Sequence, residues 1–170
     1  YLKSLELNIE IFCNDNSIIP RMSQMTQKVN QFNLTTKRYT EIEIKNFVEK
    51  PNYEVFAFSV SDKFGDSGIC GLCIIKKDND IGFIDTFLMS CRIIGRNLEY
   101  SFIKFLLNSM KNNGIKQIKS GYIKTFKNDQ VNNFYDKCSF QIVEKNNSEK
   151  KYSLDLNNYK IMNTNYIKVT

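Results

Sequence analysis

The chain has 170 residues, of which 42% are hydrophobic and 25% charged, and its net charge is +6. That length supports one domain with a proper core, and no apolar run approaches the ~20 residues of a membrane span. The lysines are scattered and form no stripe, so nucleic acid is not an expected partner, and no membrane partner is expected either.

Residues 5–13 alternate apolar and polar positions, which predicts a strand. Pro20 opens a predicted helix over 21–32, with Met22, Met25 and Val29 at helical spacing. Residues 33–38 are polar and read as a loop. Thr40 and Glu43 have capping-box spacing ahead of Ile44, Phe47 and Val48, and Pro51 ends that second helix. Strands over 53–61, 67–76 and 81–90, separated by the turns at 62–66 and 77–80, predict an antiparallel meander. A helix follows over 97–111 and stops at Asn112-Asn113-Gly114. The strand at 115–124 then completes a β-α-β crossover, parallel to the strand at 81–90. A short helix over 129–137 and a hairpin from 140–144 and 151–156 follow, and 166–169 has the pattern of a last short strand.

The run from Phe87 to Glu99 is the most informative. A strand feeds a Gly-containing turn at a helix N-terminus, and two of the four arginines, Arg92 and Arg96, flank Gly95. Outward N–H groups and the positive end of the helix dipole suit an anion such as pyrophosphate. The expected contacts are Arg92, Ile94, Gly95, Arg96 and Asn97, although either arginine could instead pair with a surface acid.

There are five cysteines and no histidine. With no secretory signal, reduced thiols and a cytoplasmic location are expected. Cys70 and Cys73 lie three apart in a strand pattern, so they are expected on opposite faces as buried small residues, and no metal site is expected. Cys91 stands one residue before the turn, where a helix N-terminus and Arg92 favour a thiolate. Asp85 is a carboxylate in an otherwise apolar strand, either a base, an orienting group or a solvent-side residue. Gln27, Asn30, Gln31 and Asn33 crowd one short stretch and are candidates to line an acceptor entrance.

The order of elements resembles the GNAT acyltransferase fold, an α/β (α+β) architecture with a central, mostly antiparallel mixed sheet flanked by helices. Arg92-Ile93-Ile94-Gly95-Arg96-Asn97 resembles that family's Arg/Gln-x-x-Gly-x-Gly/Ala pyrophosphate loop, with Asn97 replacing the last small residue. Asn128, Val131, Phe134, Tyr135, Lys137, Ser139 and Phe140 resemble its Asn-x-x-Ala-x-x-Phe-Tyr-x-Lys-x-Gly-Phe segment, with Ser139 replacing Gly. In such folds the parallel strands splay, and a pantetheine arm enters the gap. The resemblance implies CoA or carrier-bound phosphopantetheine as cofactor. It also implies Tyr135 as general acid toward a departing thiolate, and Asn128 as a pantetheine ligand or a helix cap.

The segments at 20–40, 62–72, 84–99 and 122–140 resemble the C-terminal domain of FkbH-like proteins, the HAD-superfamily subfamily IIIC group. This implies that 1–170 is a single GNAT-like domain that follows a HAD domain in a longer chain, which also suits the start at Tyr1. It implies loading of a glyceryl unit onto an acyl carrier protein, through a thioester at Cys91. Asp78-Asn79-Asp80 reads as a hairpin turn, so phosphatase chemistry is not expected on this chain. The rival expectations are a carrier-docking module without chemistry and a CoA-dependent N-acetyltransferase.

Overall fold

The computed structural model describes all residues, 1–170. Its strands are β1 (Asn8–Cys13), β2 (Tyr53–Asp62), β3 (Gly65–Asp78), β4 (Ile81–Met89), β5 (Gln117–Ile123), β6 (Gln141–Lys145), β7 (Glu149–Asp155) and β8 (Lys168–Val169). The helices are α1 (Ile19–Lys28), α2 (Glu41–Glu49), α3 (Leu98–Asn112) and α4 (Phe134–Lys137). The strands form one sheet in the order β6-β7-β5-β4-β3-β2-β1-β8. It is antiparallel except at β4–β5 and at β1–β8. This is the mixed, GNAT-like sheet that the element order implies.

Two apolar layers sandwich the sheet. On one face Phe58, Phe87, Met89 and Ile118 pack with Phe102, Leu106, Phe134 and Tyr135 of α3 and α4. On the other, Met22 and Met25 of α1 and Ile44 of α2 cover Val55, Leu72, Ile74 and Leu88. The Thr40 and Glu43 capping box forms as its spacing predicts, with Glu43 N–H donating to Thr40 Oγ1 at 3.2 Å.

Three features depart from the sequence expectation. First, α1 stops at Lys28, one turn early, because Val29 turns extended (φ −81°, ψ 123°). Second, Cys70 and Cys73 share one core face. A β-bulge between Phe58 and Ser59 of β2, opposite Ile69–Gly71, interrupts the alternation. Both are free thiols, and burial pushes Cys70 up to about 12 and Cys73 well above its ordinary value. Third, the helix expected over 129–137 divides into a 3-10 turn at Asp129–Val131 and the single turn of α4.

The parallel pairing of β4 with β5 covers only Ile81–Phe83 against Gln117–Lys119. Beyond that point the strands part, and a segment of the chain fills the gap.

Candidate functional site

At the end of β4, Ser90 donates its N–H to Cys70 O at 2.7 Å, and Cys91–Ile93 makes a 3-10 turn. Gly95 (φ 95°) and Asn97 (φ 64°) then reverse the chain into α3, a helix of 15 residues. No backbone acceptor meets the N–H groups of Gly95, Arg96, Asn97 and Leu98. No side chain caps the helix, because Asn97 turns its amide to Tyr166 Oη at 3.0 Å. A Cβ built on Gly95 meets nothing within 4 Å, so the turn is open above its amides. These four N–H groups lie at the positive end of a long helix, a setting that suits an anion such as a diphosphate.

The flanking arginines have protein partners. Arg96 pairs with Asp62 at 3.3 Å, and Arg92 donates to Ser67 O at 3.0 Å and to Ser90 Oγ at 3.3 Å. Arg92 remains exposed and can turn toward a ligand, and half-buried Ile94 packs against the core. Glu99, in the first turn of α3, is 9% exposed with Oε2 unpartnered, and burial raises its pKa.

Cys91 is exposed and lines a cleft of about 700 Å³ with Arg21, Met25, Lys28, Phe126 and Lys127. Three cations and no carboxylate line it, and the ring of Phe126 stands clear of the protein. Asn30 and Gln31 line the same cleft. Gln27 instead donates to Tyr39 O at 3.0 Å, and Asn33 is fully buried.

Asp85 belongs to a different cleft, about 620 Å³, between the 35–37 segment and the β5–β7 sheet. Its carboxylate accepts from Lys37 Nζ (2.9 Å), Tyr39 Oη (2.7 Å) and Thr86 Oγ1 (2.8 Å). These three bonds fix the carboxylate in place. Burial and Asp85 together push the Tyr39 phenol well above its usual value. Lys37 and Tyr39 are site residues that the sequence reading missed. They precede α2 in a polar stretch whose only signal is its length.

Tyr135 and Asn128 are not where the resemblance implies. Tyr135 is 1% exposed, lines neither cleft, and packs on Phe140 (4.9 Å) and Tyr152 (5.5 Å) between ring centroids. Burial raises its phenol well above its ordinary value, so it is a poorly placed acid for a solvent-reached thiolate. Asn128 is fully buried and does not cap the following turn. It donates to Asn33 O (3.0 Å) and Ile123 O (2.9 Å), and accepts from Thr125 N–H (2.9 Å) and Tyr122 Oη (3.1 Å). Cys91, Asp85 and Tyr135 therefore do not form one constellation. Two open into separate clefts and the third is sealed.

The gap between the parted strands explains the burial of Asn128. Residues 32–34 run antiparallel to β4, with Leu34 N–H on Phe87 O (3.2 Å) and Met89 N–H on Phe32 O (3.0 Å). On the far side Ile123 N–H of β5 donates to Leu34 O at 2.8 Å. The segment makes a single isolated antiparallel bridge, Asn33 to Leu88, and its backbone bonds span the gap from β4 to β5. Phe32 meets Phe87 (6.2 Å) and Phe134 (5.4 Å) from within the gap.

Solved structures share this architecture. The ribosomal-protein-S18-alanine N-acetyltransferase of Escherichia coli superposes with a TM-score of 0.66 at 10% identity, covering 92% of this chain and 97% of that one. The PaiA N-acetyltransferase of Thermoplasma acidophilum, solved in complex with coenzyme A, gives 0.64 at 10% identity, covering 86% and 98%. A GNAT-family acetyltransferase of Streptococcus pneumoniae gives 0.66 at 15%, again covering 86% and 98%. No protein-family model and no curated protein matches the sequence. The chain has the GNAT acetyltransferase fold, and this likeness extends to the fold alone. No helix is long and apolar enough to cross a membrane.

Proposed function

We propose that this domain is an acyltransferase whose donor is a phosphopantetheine thioester, CoA in the simplest case, and whose acceptor is an amine. The observation that carries the reading is the open turn at 94–98. Its unpaired N–H groups, the uncapped 15-residue helix and the clear space above Gly95 suit a diphosphate. Two of the neighbours are N-acetyltransferases, one of them crystallised with coenzyme A, which supports the same choice. When bound, CoA supplies an activated acyl group on a good leaving thiolate. The protein's part is to hold the phosphates at the turn and the acceptor in the Asp85 cleft. There Asp85, fixed by Lys37, Tyr39 and Thr86, can take a further bond from an incoming amine and orient it.

A carrier-bound pantetheine in place of free CoA is favoured by one separate observation. The cleft beside the turn presents Arg21, Lys28 and Lys127 with no acid, a surface that attracts an acidic carrier protein. Within that reading, the exposed Cys91 thiol could accept the acyl group by thioester exchange, its sulfur bonding the acyl carbon as the pantetheine sulfur leaves as a thiol with the proton Cys91 gives up. The FkbH-like resemblance further suggests a glyceryl group, delivered by a HAD domain of the same polypeptide in a cytoplasmic setting. A docking module without chemistry would use the same cleft and leave Cys91 unmodified.

Calorimetric titration with CoA, beside an amine-panel assay for thiol release from acetyl-CoA, tests the reading. Binding with an enthalpy lost in Gly95→Val, and thiol release with at least one amine, are expected. No heat at millimolar CoA refutes it. Binding without thiol release, together with capture of an acyl carrier protein, would replace it by the docking module.

A further inference from the structure

The slot through which a pantetheine arm must pass is occupied by the protein itself. Four polar groups bordering it are engaged by residues 32–34: Phe87 O, Met89 N–H and Ile123 N–H by backbone bonds, and Asn128 Nδ2 by Asn33 O. Thr35 Oγ1 adds a bond to Asp85 O at 3.0 Å. These borders present alternating donors and acceptors to an extended chain carrying amides. The strap is one such chain, and a pantetheine arm, with two amides in an extended tether, is another.

A second observation concerns the strap's downstream end. Thr36 sits at φ 55°, a left-handed conformation that a β-branched residue adopts only under strain. Its hydroxyl is buried without a partner, while its N–H is held by Asn33 Oδ1 at 2.9 Å. The upstream end is tied by polar bonds near the surface. Arg38 clamps Val29 O at 2.8 Å and Asn30 Oδ1 at 2.5 Å. A segment fixed at both ends and strained at one can have a second arrangement in which it leaves the slot.

We infer that residues 32–34 are a built-in occupant of the β4–β5 slot, a strap that competes with the pantetheine arm for the same bonds and gates the site. This rests on the phosphopantetheine reading above and adds its regulation. With the strap closed, diphosphate can reach the turn but the arm cannot cross the sheet. The apparent affinity is then the intrinsic one reduced by the fraction of molecules in the open form. Substitutions that loosen the strap tighten CoA binding, and those that relieve its strain weaken it.

The test is titration of CoA into wild type, Phe32→Ala and Thr36→Gly. Hydrogen exchange is read alongside at the amides of Leu34, Met89 and Ile123. Phe32→Ala removes the ring wedged against Phe87 and Phe134 and should bind CoA at least fivefold tighter. Thr36→Gly relaxes the closed form and should bind at least threefold more weakly. CoA should also speed exchange at Leu34, whose N–H leaves Phe87 O with the strap, while Met89 and Ile123, whose N–H groups the arm takes over, stay protected. Equal affinities, or shifts of the same sign in both variants, overturn the strap and leave the CoA reading standing. If none of the three proteins binds CoA, that reading fails and exchange in the free wild type decides the strap. Joint opening of the three amides ahead of the β2–β3 ladder upholds it, and exchange only together with that ladder overturns it.

Discussion

Asn128→Ala separates a structural asparagine from a ligand-binding one. The side chain makes four bonds at zero exposure, two as donor and two as acceptor. Removing it strands the carbonyls of Asn33 and Ile123 and the N–H of Thr125, and Tyr122 keeps only its longer contact with Asn128 O at 3.4 Å. Each stranded buried group costs about 1–3 kcal/mol, and water entering the small cavity recovers part of it. The net loss should be roughly 3–5 kcal/mol, which lowers the melting temperature of a domain this size by roughly 6–20 °C. Asn128→Asp keeps the acceptor but aims a carboxylate at two carbonyls, so it should be no more stable than the alanine variant at pH 7. Circular dichroism melts and urea titrations give both numbers. A melting temperature within about 2 °C of wild type would refute the scaffold role. A large loss of CoA affinity in such a variant would return Asn128 to ligand contact.

Gly71→Ala should cost about 1–3 kcal/mol, because its Cβ would lie 1.9 Å from the Phe58 ring, and Phe58→Leu in the same chain should recover part of the loss in a urea melt. Gly95→Val should weaken CoA binding at least tenfold, about 1.4 kcal/mol, through its positive φ and the bulk placed over the amides. Its melting temperature should fall only a few degrees, and unchanged affinity would show that the turn holds no phosphate. Glu99 has its pKa raised by burial, so the folded state holds its proton longer than the unfolded one, and stability falls as pH rises above the unfolded value near 4.5. Glu99→Gln should therefore melt like wild type near pH 4 and above it at pH 7–8, and equal melts at both pH values would contradict this. Iodoacetamide near pH 8 should label Cys91 first. Cys13, the other exposed thiol, is pushed up to about 11, and Cys70, Cys73 and Cys138 are buried. Rapid labelling of a second site would show that the core opens easily.

The helices and the meander were legible because they rest on local chemistry. Thr40 and Glu43 cap α2 through their own side chains, and the Asn and Gly turn after α3 stops it where backbone freedom allows. The strap was not legible. Met22, Met25, Val29 and Phe32 keep helical spacing, so periodicity alone carries α1 to residue 32. What ends it at Lys28 is backbone pairing with Phe87 and Met89, almost 60 residues away, which leaves no local signal. The same pairing accounts for the buried asparagine: once residues 32–34 fill the gap, Asn33 O meets the Asn128 amide. Tyr135 is sealed by Phe134, Phe140 and Tyr152, contacts distant in sequence in the case of Tyr152. A bulge likewise cannot be read from composition, and it put Cys70 and Cys73 on one face. The open turn itself was legible, since Gly95 and a helix start are both local.

The two sheet edges are unequal. β6 is exposed along its whole length, with Ile142 and Val143 open to solvent, whereas the β1 edge is covered by β8. That cover is thin: Lys168 N–H on Leu7 O, Ile11 N–H on Thr170 O and Thr170 N–H on Ile9 O, all within 3.0 Å. The first and last strands of the chain thus lie side by side and share one ladder. Loosening either strand must loosen the other. Removing the final four residues would bare the backbone of Leu7, Ile9 and Ile11 together, turning a capped flank into a second adhesive edge.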